Sequence, residues 1–303
     1  MSLHQPGITL ENKIFGIFME LSVVGDDLDP IRDACGELAG RLSSLKTRFW
    51  NSDIEMVIAF GPDLWRKLSD NPDSAPELKP FRELGYGMAK ATQCDIFIHI
   101  LSDRHDLNFT LAKDVVEVFG DAVTVDDETH GFRWIEARDL SGFVDGTENP
   151  KGQANRTDVA VINEGVDAGG SYVLAQRWEH HLEQFEHFDL KAQENVFGRT
   201  KERDIEMDDE EKPTTAHTAR VVIEEDGEEL EILRQSLPYG KASGTKGLYF
   251  LAYSAELTRI EKMFAMMFGE TDGEFDAMLS YTHAVTGSYL YAPSLEQLEA
   301  LAD

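Results

Sequence analysis

With 303 residues, 42% of them apolar, the chain is long enough for one large domain or two of ordinary size. Its 57 acidic and 28 basic residues give a formal charge of −29, which repels phosphate backbones and argues against a nucleic-acid partner. The two cysteines, Cys35 and Cys94, lack CxxC spacing, which excludes a disulfide scaffold, an Fe–S cluster and a zinc ribbon.

The first half is predicted to alternate short strands with longer helices. The apolar spacing predicts, in chain order, a strand at 13–22, a helix at 29–51, strands at 54–60 and 95–101, a helix at 106–119, and strands at 122–125 and 132–137. No basic segment followed by an apolar run opens the chain, and no stretch reaches the roughly 20 apolar residues of a membrane helix. We therefore expect a cytoplasmic protein with no membrane partner.

The second half is predicted to repeat the same order of elements. It comprises a strand at 171–177, a helix at 178–193, strands at 217–224, at 229–234 after an Asp226-Gly227 turn, and at 247–254, and a helix at 256–268. Each half is β-α-β-β-α-β, the ferredoxin-like arrangement. The turn formers at 141–156 predict an irregular connection, so we expect an N-terminal module at 1–140, a connecting loop at 141–156 and a C-terminal module at 157–303.

Two charged or metal-binding patterns have plain structural interpretations. The charge run at 201–212 is predicted to be a solvated loop. Three histidines, His180, His181 and His187, fall in the predicted helix at 178–193. Because His181 points about 100° away from His180 on a helix, a surface helix is favoured over a metal site.

The segment 141–150 is the most unusual in the chain. It reads Ser-Gly-Phe-Val-Asp-Gly-Thr-Glu-Asn-Pro, with Asp145 flanked by small, flexible residues. Such a carboxylate can be presented free from an irregular backbone. It can equally cap its own backbone in a tight Asp-Gly turn, which is the commoner outcome on physical grounds alone.

Several motifs resemble those of the dye-decolourising peroxidases, and in particular their short cytoplasmic branch. Residues 142–150 match the GxxDG signature and the Thr-x-Asn-Pro that follows it. Further matches occur in the family's order at 197–201, at His217 before a predicted strand, at 234–240 and at 287–294. The resemblance implies an α+β fold of two ferredoxin-like modules, packed as a dimeric-barrel-like sandwich, with haem b in the C-terminal half. No CxxCH motif is present, so the haem is expected to be non-covalent.

The implied activity is the oxidation of bulky aromatic donors (dyes, phenols or porphyrinogens) by hydrogen peroxide through compound I. The resemblance makes His217 the iron ligand, since imidazole is the usual proximal ligand. An acid accepting from its other ring nitrogen would strengthen it as a donor, and we expect Asp276 in that role. A homo-oligomer is a family expectation.

The same resemblance assigns the peroxide chemistry to Asp145 as proton shuttle and Arg234 as charge stabiliser. Asn149 is expected to hold Asp145 or a pocket water, or to support the loop. A carboxylate base, with an ordinary pKa of about 4, predicts an acidic optimum.

Three further residues are expected at the cofactor site. They are Thr147 within the signature, Arg199, whose guanidinium fits a haem propionate, and Ser236, which stands where many relatives carry Asn.

Two other functions stay open at this point. One is a haem-binding or haem-handling protein with incidental peroxidase activity. The other is a carboxylate hydrolase using Asp145 and a second acid, for which Glu148 lies too close along the chain to face Asp145 across a substrate.

Overall fold

The computed structural model describes residues 3–225 and 227–302. The elements of the N-terminal half are β1 (Phe15–Val23), α1 (Asp29–Arg48), β2 (Glu55–Phe60), α2 (Pro62–Leu68), β3 (Ile96–Ser102), α3 (His105–Phe119) and β4 (Val123–Phe132). The four strands are antiparallel in the order β2-β3-β1-β4. This is the ferredoxin-like order.

The C-terminal half contains a second unit of the same kind. Its elements are α4 (Gln153–Ala160), β5 (Ser171–His180), α5 (Leu182–Glu186), α6 (Leu190–Phe197), α7 (His217–Val221), β6 (Glu224–Glu225), β7 (Glu228–Glu229), β8 (Leu233–Arg234), β9 (Leu237–Gly240), β10 (Lys246–Ser254), α8 (Leu257–Met267), β11 (Thr282–Ala284), β12 (Ser288–Ala292) and α9 (Leu295–Ala302). Its central strands follow the order β12-β5-β10-β9.

The two sheets join at both edges into one closed ring. Tyr291 on β12 pairs with Phe60 on β2, and Gly131 on β4 pairs with Tyr239 on β9. Side chains alternate between the two faces of each strand, so the ring has a packed interior and an outer face covered by helices. The predicted fold of two ferredoxin-like modules forming a barrel-like sandwich is confirmed.

Alternation along β10 separates the barrel core from the functional cleft. Tyr249 is fully buried in the interior and its ring stacks on Phe18 with centroids 4.2 Å apart. The neighbouring Leu248 and Phe250 point outward and line a cleft on the opposite face of the sheet. One strand therefore supplies both the core and a wall of the cleft.

Four predictions about local structure were wrong. The segment 178–193, predicted to be one helix, begins instead as the end of β5, which pairs with β11 and runs to His180. The rest of the segment contains α5 and the start of α6. The predicted strand at 217–224 begins instead as the helix α7. The predicted strands at 122–125 and 132–137 are one strand, β4, followed by a short 3₁₀ turn. The connection at 141–156 is irregular only as far as the start of α4.

Two smaller differences concern an additional helix and a broken strand. The sequence did not predict α2, which starts at Pro62, a favoured first helical residue. The predicted strand at 229–234 is interrupted: its first residue ends β7, its last two residues form β8, and the residues between them are not in a strand. The predicted turn includes Asp226, which lies outside the described residues. Within the described residues, no helix is long and apolar enough to cross a membrane.

Candidate active site

A cleft lies between the outer face of the C-terminal sheet and the helices α7 and α8. Its empty space, counted out to its open mouth, is about 1380 Å³. Most of the wall is apolar. Against this wall the structure brings together Asp145, Arg234 and His217, which are far apart in the sequence.

Asp145 is presented by a short backbone hairpin. Its N–H donates to the Ala137 carbonyl at 3.0 Å, and the Asp139 N–H donates to the Phe143 carbonyl at 2.8 Å. Glu136 and Ala137 both have left-handed backbones, with φ of 54° and 58°. Non-glycine residues in this region cost about 1–3 kcal/mol each and persist only where surrounding contacts enforce them. The hairpin therefore fixes where the Asp145 carboxylate lies.

Among the described residues, Arg234 is the cationic side chain that the Asp145 carboxylate contacts. Its Oδ1 lies 3.3 Å from Nη1 of Arg234, and both side chains are about one-fifth exposed. Burial raises the pKa of Asp145, the Arg234 charge opposes that rise, and the nearby Asp139 adds to it. The pKa of Asp145 is therefore higher than that of an exposed aspartate, so its carboxylate takes up a proton at a higher pH.

Asn149 holds the backbone of Arg234. The Arg234 N–H donates to Asn149 Oδ1 at 2.8 Å, and Asn149 Nδ2 donates to the Arg234 carbonyl at 2.8 Å. This two-point contact ties the signature loop to β8. Ser236 accepts the Leu251 N–H at 3.2 Å, and it lines a second, polar chamber that shares Asp145 and Arg234 with the cleft.

His217 begins α7 on another wall of the same cleft. Its Nδ1 lies 2.7 Å from Oδ2 of Asp276, whose side chain is fully buried. The other Asp276 oxygen accepts the Met278 N–H at 2.8 Å. Within the described residues His217 Nε2 has no hydrogen-bond partner, so it is free to bind a metal.

Arg199 lies at the mouth of the cleft among acidic side chains. Its Nε contacts Asp204 at 2.8 Å, its Nη1 contacts Glu148 at 3.1 Å and Glu206 at 3.0 Å, and its Nη2 donates to the Asp204 carbonyl at 2.9 Å. Thr147 also donates to Asp204. Part of the charge run at 201–212 is thus an ordered rim and not only a solvated loop.

His180 and Asp139 also line the cleft, although no sequence motif predicted either residue there. His180 ends β5, its side chain is 5% exposed, and its Nε2 lies 3.1 Å from Asp139 Oδ1. It is therefore not on a surface helix. The distance of 41 residues between these two partners leaves no local signal that sequence reasoning could use.

Comparisons with known proteins agree with this arrangement. The family models "Dyp-type peroxidase, N-terminal" and "Dyp-type peroxidase, C-terminal" match residues 5–133 and 136–297. Because these two models cover nearly all of the chain, the protein is a peroxidase. It belongs to the Dyp-type peroxidase family, which confirms the resemblance found in the sequence.

Individual relatives cover nearly the whole chain. A dye-decolorizing peroxidase from Rhodococcus erythropolis is 39% identical over 289 residues, which are 93% of this chain and 84% of that protein. The dye-decolorizing protein from V. cholerae is 38% identical, with a TM-score of 0.92 over 98% of this chain and 99% of that one. A variant of DypB from Rhodococcus jostii RHA1, solved in complex with haem, is 32% identical, with a TM-score of 0.91 and full coverage of both chains.

Proposed function

We propose that the protein is a haem b peroxidase that uses hydrogen peroxide to oxidise bulky aromatic donors. Asp145 moves the proton and Arg234 stabilises the departing charge. The observation that carries this proposal is the shared cleft: an Asp–Arg pair in contact at 3.3 Å lies in the same cavity as a histidine whose Nδ1 is held by a buried carboxyl group.

The residues present fit a haem. His217 offers an Nε2 with no partner in the part of the chain that the structure describes, and its Nδ1 is fixed by Asp276. Apolar side chains form the walls between this histidine and Asp145. When bound, the haem supplies the iron at which the peroxide bond breaks. Arg199 is the candidate partner of a propionate, which would take the place of Glu148 or Glu206 on Nη1.

The protein's own residues then handle one proton and one developing charge. Ionised Asp145 would accept a proton from one peroxide oxygen and return it to the other, which leaves as water. Arg234 would donate hydrogen bonds to the departing oxygen while negative charge builds on it. The Asn149 contacts hold the Arg234 backbone in place, so that the Arg234 guanidinium contacts Asp145.

The modular division belongs to the same proposal. Apart from Asp139, the residues that line the cleft lie between Phe143 and Thr282. This supports cofactor binding by the connecting loop at 141–156 and the module at 157–303, with 1–140 closing the barrel. Ser236 and Thr147 are assigned to the surroundings of the site. The homo-oligomer and the cytoplasmic location stay predictions.

Haem loading followed by peroxide addition tests the proposal. Purified protein reconstituted with haem is expected to show a Soret band that His217→Ala loses or shifts. Peroxide-dependent oxidation of an aromatic donor should be lost in Asp145→Asn and kept in Asp63→Asn, an exposed control on α2. Haem binding with equal turnover in wild type and Asp145→Asn would instead support the haem-handling alternative. The absence of haem binding would refute both.

A further inference from the structure

The hairpin that presents Asp145 is joined to a second segment of backbone by one guanidinium group. Arg138 Nη1 donates to the Gly142 carbonyl at 2.9 Å, inside the hairpin, and to the Lys201 carbonyl at 2.6 Å, outside it. Its Nη2 donates to the Glu202 carbonyl at 3.1 Å. The Arg138 side chain therefore holds the hairpin against the residues that follow α6.

The Lys201 side chain contacts the same hairpin from the opposite segment. Its Nζ lies 5.4 Å from the centre of the Phe143 ring and donates to Gln193 Oε1 at 2.7 Å. A Cβ added to Gly142, whose φ is 89°, would lie 2.6 Å from Lys201 Cε. The loop can approach Lys201 this closely because residue 142 is a glycine.

The segment 197–202 also contacts the helix that begins at His217. Phe143 in the hairpin stacks on Phe197 with ring centroids 4.0 Å apart, and the Phe197 ring lies edge-on to the His217 ring at 6.4 Å. The Thr218 hydroxyl donates to the Phe197 carbonyl at 3.1 Å. The hairpin and the start of α7 are thus packed against one common segment.

Arg138 and Lys201 are placed to act on the site only through other residues. Neither is among the residues that line the cleft. Arg138 borders the polar chamber, but its two Nη atoms donate to backbone carbonyls and its Nε pairs with Glu136 at 3.1 Å. All three of its nitrogens therefore contact the protein itself.

We propose that Arg138 and Lys201 are positioning residues that set where the Asp145 carboxylate lies relative to His217. The inference rests on the proposed function, because it concerns how Asp145 is placed for the proton transfer assigned to it. The hairpin and α7 share the segment 197–202 as a support. Releasing the hairpin from this segment therefore moves Asp145 and leaves His217 in place.

The shape of the Arg138 guanidinium carries this role more than its charge does. A planar fork donates to several carbonyls at once, whereas a lysine ammonium is a compact charge on a flexible stem. The charges that shift the pKa of Asp145 belong to Arg234, Asp139 and His217. Arg138→Lys keeps the charge and cannot span the three carbonyls, so it separates a positional effect from an electrostatic one.

Hydrogen exchange of the haem-loaded protein, followed by mass spectrometry, tests the fastening directly. The N–H groups of Asp139, Gly142 and Asp145 all donate within the hairpin, so they exchange when it opens. Arg138→Lys and Lys201→Met should each raise their exchange rates by about 10–100-fold, as the loss of a hydrogen bond to a charged group does.

Two references show whether the effect is local. The amides of β10 should keep their wild-type exchange rates in both variants. Arg203→Lys, an exposed control in the loop after Lys201, should leave the hairpin unchanged. Wild-type hairpin exchange in both Arg138→Lys and Lys201→Met, or an equal rise in β10, would overturn the proposal.

A double-mutant cycle on the peroxide reaction supplies the second test. Arg138→Lys should slow the peroxide-induced change of the Soret band by about 10–100-fold, the cost of misplacing a catalytic group by about 1 Å. In the Asp145→Asn background it should have no further effect. An equal slowing in both backgrounds would refute the positioning role, because a general loosening of the site does not depend on Asp145. If Arg138→Lys fails to fold, Lys201→Met takes its place in the cycle.

The failure of this inference differs from the failure of the proposed function. If Asp145→Asn reacts with peroxide as fast as the wild type, the proposed function fails and the positioning role fails with it. If Asp145→Asn is slow but the effects of the two substitutions add, the proposed function stands and the positioning role of Arg138 does not.

Discussion

Replacing Asp276 with asparagine should raise the reduction potential of the bound iron. The Asp276 side chain is fully buried. One of its oxygens accepts from His217 Nδ1 at 2.7 Å, and the other accepts the Met278 N–H at 2.8 Å. Asparagine has one oxygen, so it can satisfy only one of these donors. If it keeps Met278, its NH₂ group faces the Nδ1–H of His217, and the imidazole loses the acceptor that strengthens it as an iron ligand.

The size of the effect follows from the hydrogen bond that is lost. A bond to a charged group contributes about 1.5–3 kcal/mol. If the lost hydrogen bond stabilises only the oxidised iron, its loss raises the reduction potential by about 65–130 mV, because a tenfold change in a one-electron equilibrium is about 59 mV. The donor left without a partner should also lower the free energy of unfolding by about 1–3 kcal/mol.

A spectroelectrochemical titration of the haem-loaded variants measures this potential. Asp272→Asn is the matched control, because Asp272 pairs with Arg220 on the same helix as His217 and does not contact His217. Asp276→Asn should titrate at the higher potential and Asp272→Asn at the wild-type value. An unchanged potential in Asp276→Asn, or an equal rise in both variants, would show that Asp276 does not act through His217.

Further predictions concern the site and the residues packed around it. Asp145→Asn should lower kcat/KM for peroxide by about 10²–10⁴-fold, and Arg234→Leu by about 10²–10³-fold, both read by stopped-flow absorbance. For stability, the pKa of Asp139 falls from 3.8 to about 2 on folding, so its contribution of about 2 kcal/mol is present above pH 4 and is lost as the pH falls toward 2. The free energy of unfolding of Asp139→Asn, from denaturant titrations, should therefore lie below that of the wild type at pH 6 and approach it at low pH. Gly198→Ala should lose about 1–3 kcal/mol in the same assay, because Gly198 has φ 75° and an added Cβ would lie 2.3 Å from Thr218 Oγ1. The acid limb of turnover should lie above pH 3.8, because the folded protein raises the pKa of Asp145.

Each of these outcomes has a result that would contradict it. Wild-type peroxide kinetics in Asp145→Asn or Arg234→Leu would remove that residue from the mechanism. A stability difference for Asp139→Asn that does not change with pH would mean that its ionisation is not linked to folding. A neutral Gly198→Ala would mean that the backbone at this position adapts. An acid limb below pH 3.8 would assign the titration to a group other than Asp145.

The order of elements was predictable because it depends on local patterns. Short apolar runs mark β1, β3 and β10, and spacings of three and four mark α1 and α3. The helix at His217 was not predictable in this way. Its sequence is rich in Thr and Val, which favour strands, and the helical conformation is held by distant groups: Thr218 Oγ1 donates to the Phe197 carbonyl, and Arg220 binds the Met266 carbonyl and Asp272.

The residues of the candidate site also differ in how far local sequence could predict them. Asp145 is marked by the small, flexible residues next to it in the sequence. The other three residues, His217, Arg234 and Asp276, were predicted only from the order of motifs along the chain. Asn149 was expected to hold Asp145 or a water, or to support the loop, and the structure shows it bonded to the backbone of Arg234, 85 residues away. Such contacts depend on how the two modules pack, and no local pattern of residues specifies them.

The absorption spectrum of the haem-loaded protein, before and after one equivalent of hydrogen peroxide, tests the central claim most directly. The wild type should show a Soret band that changes within milliseconds of mixing, and Asp145→Asn should bind haem with the same resting spectrum and change at least 100-fold more slowly, at the lower end of the general acid–base contribution of about 10²–10⁴. A wild-type spectrum that peroxide leaves unaltered, or equal rates in the two proteins, would contradict the assignment of peroxide activation to this cleft and to Asp145.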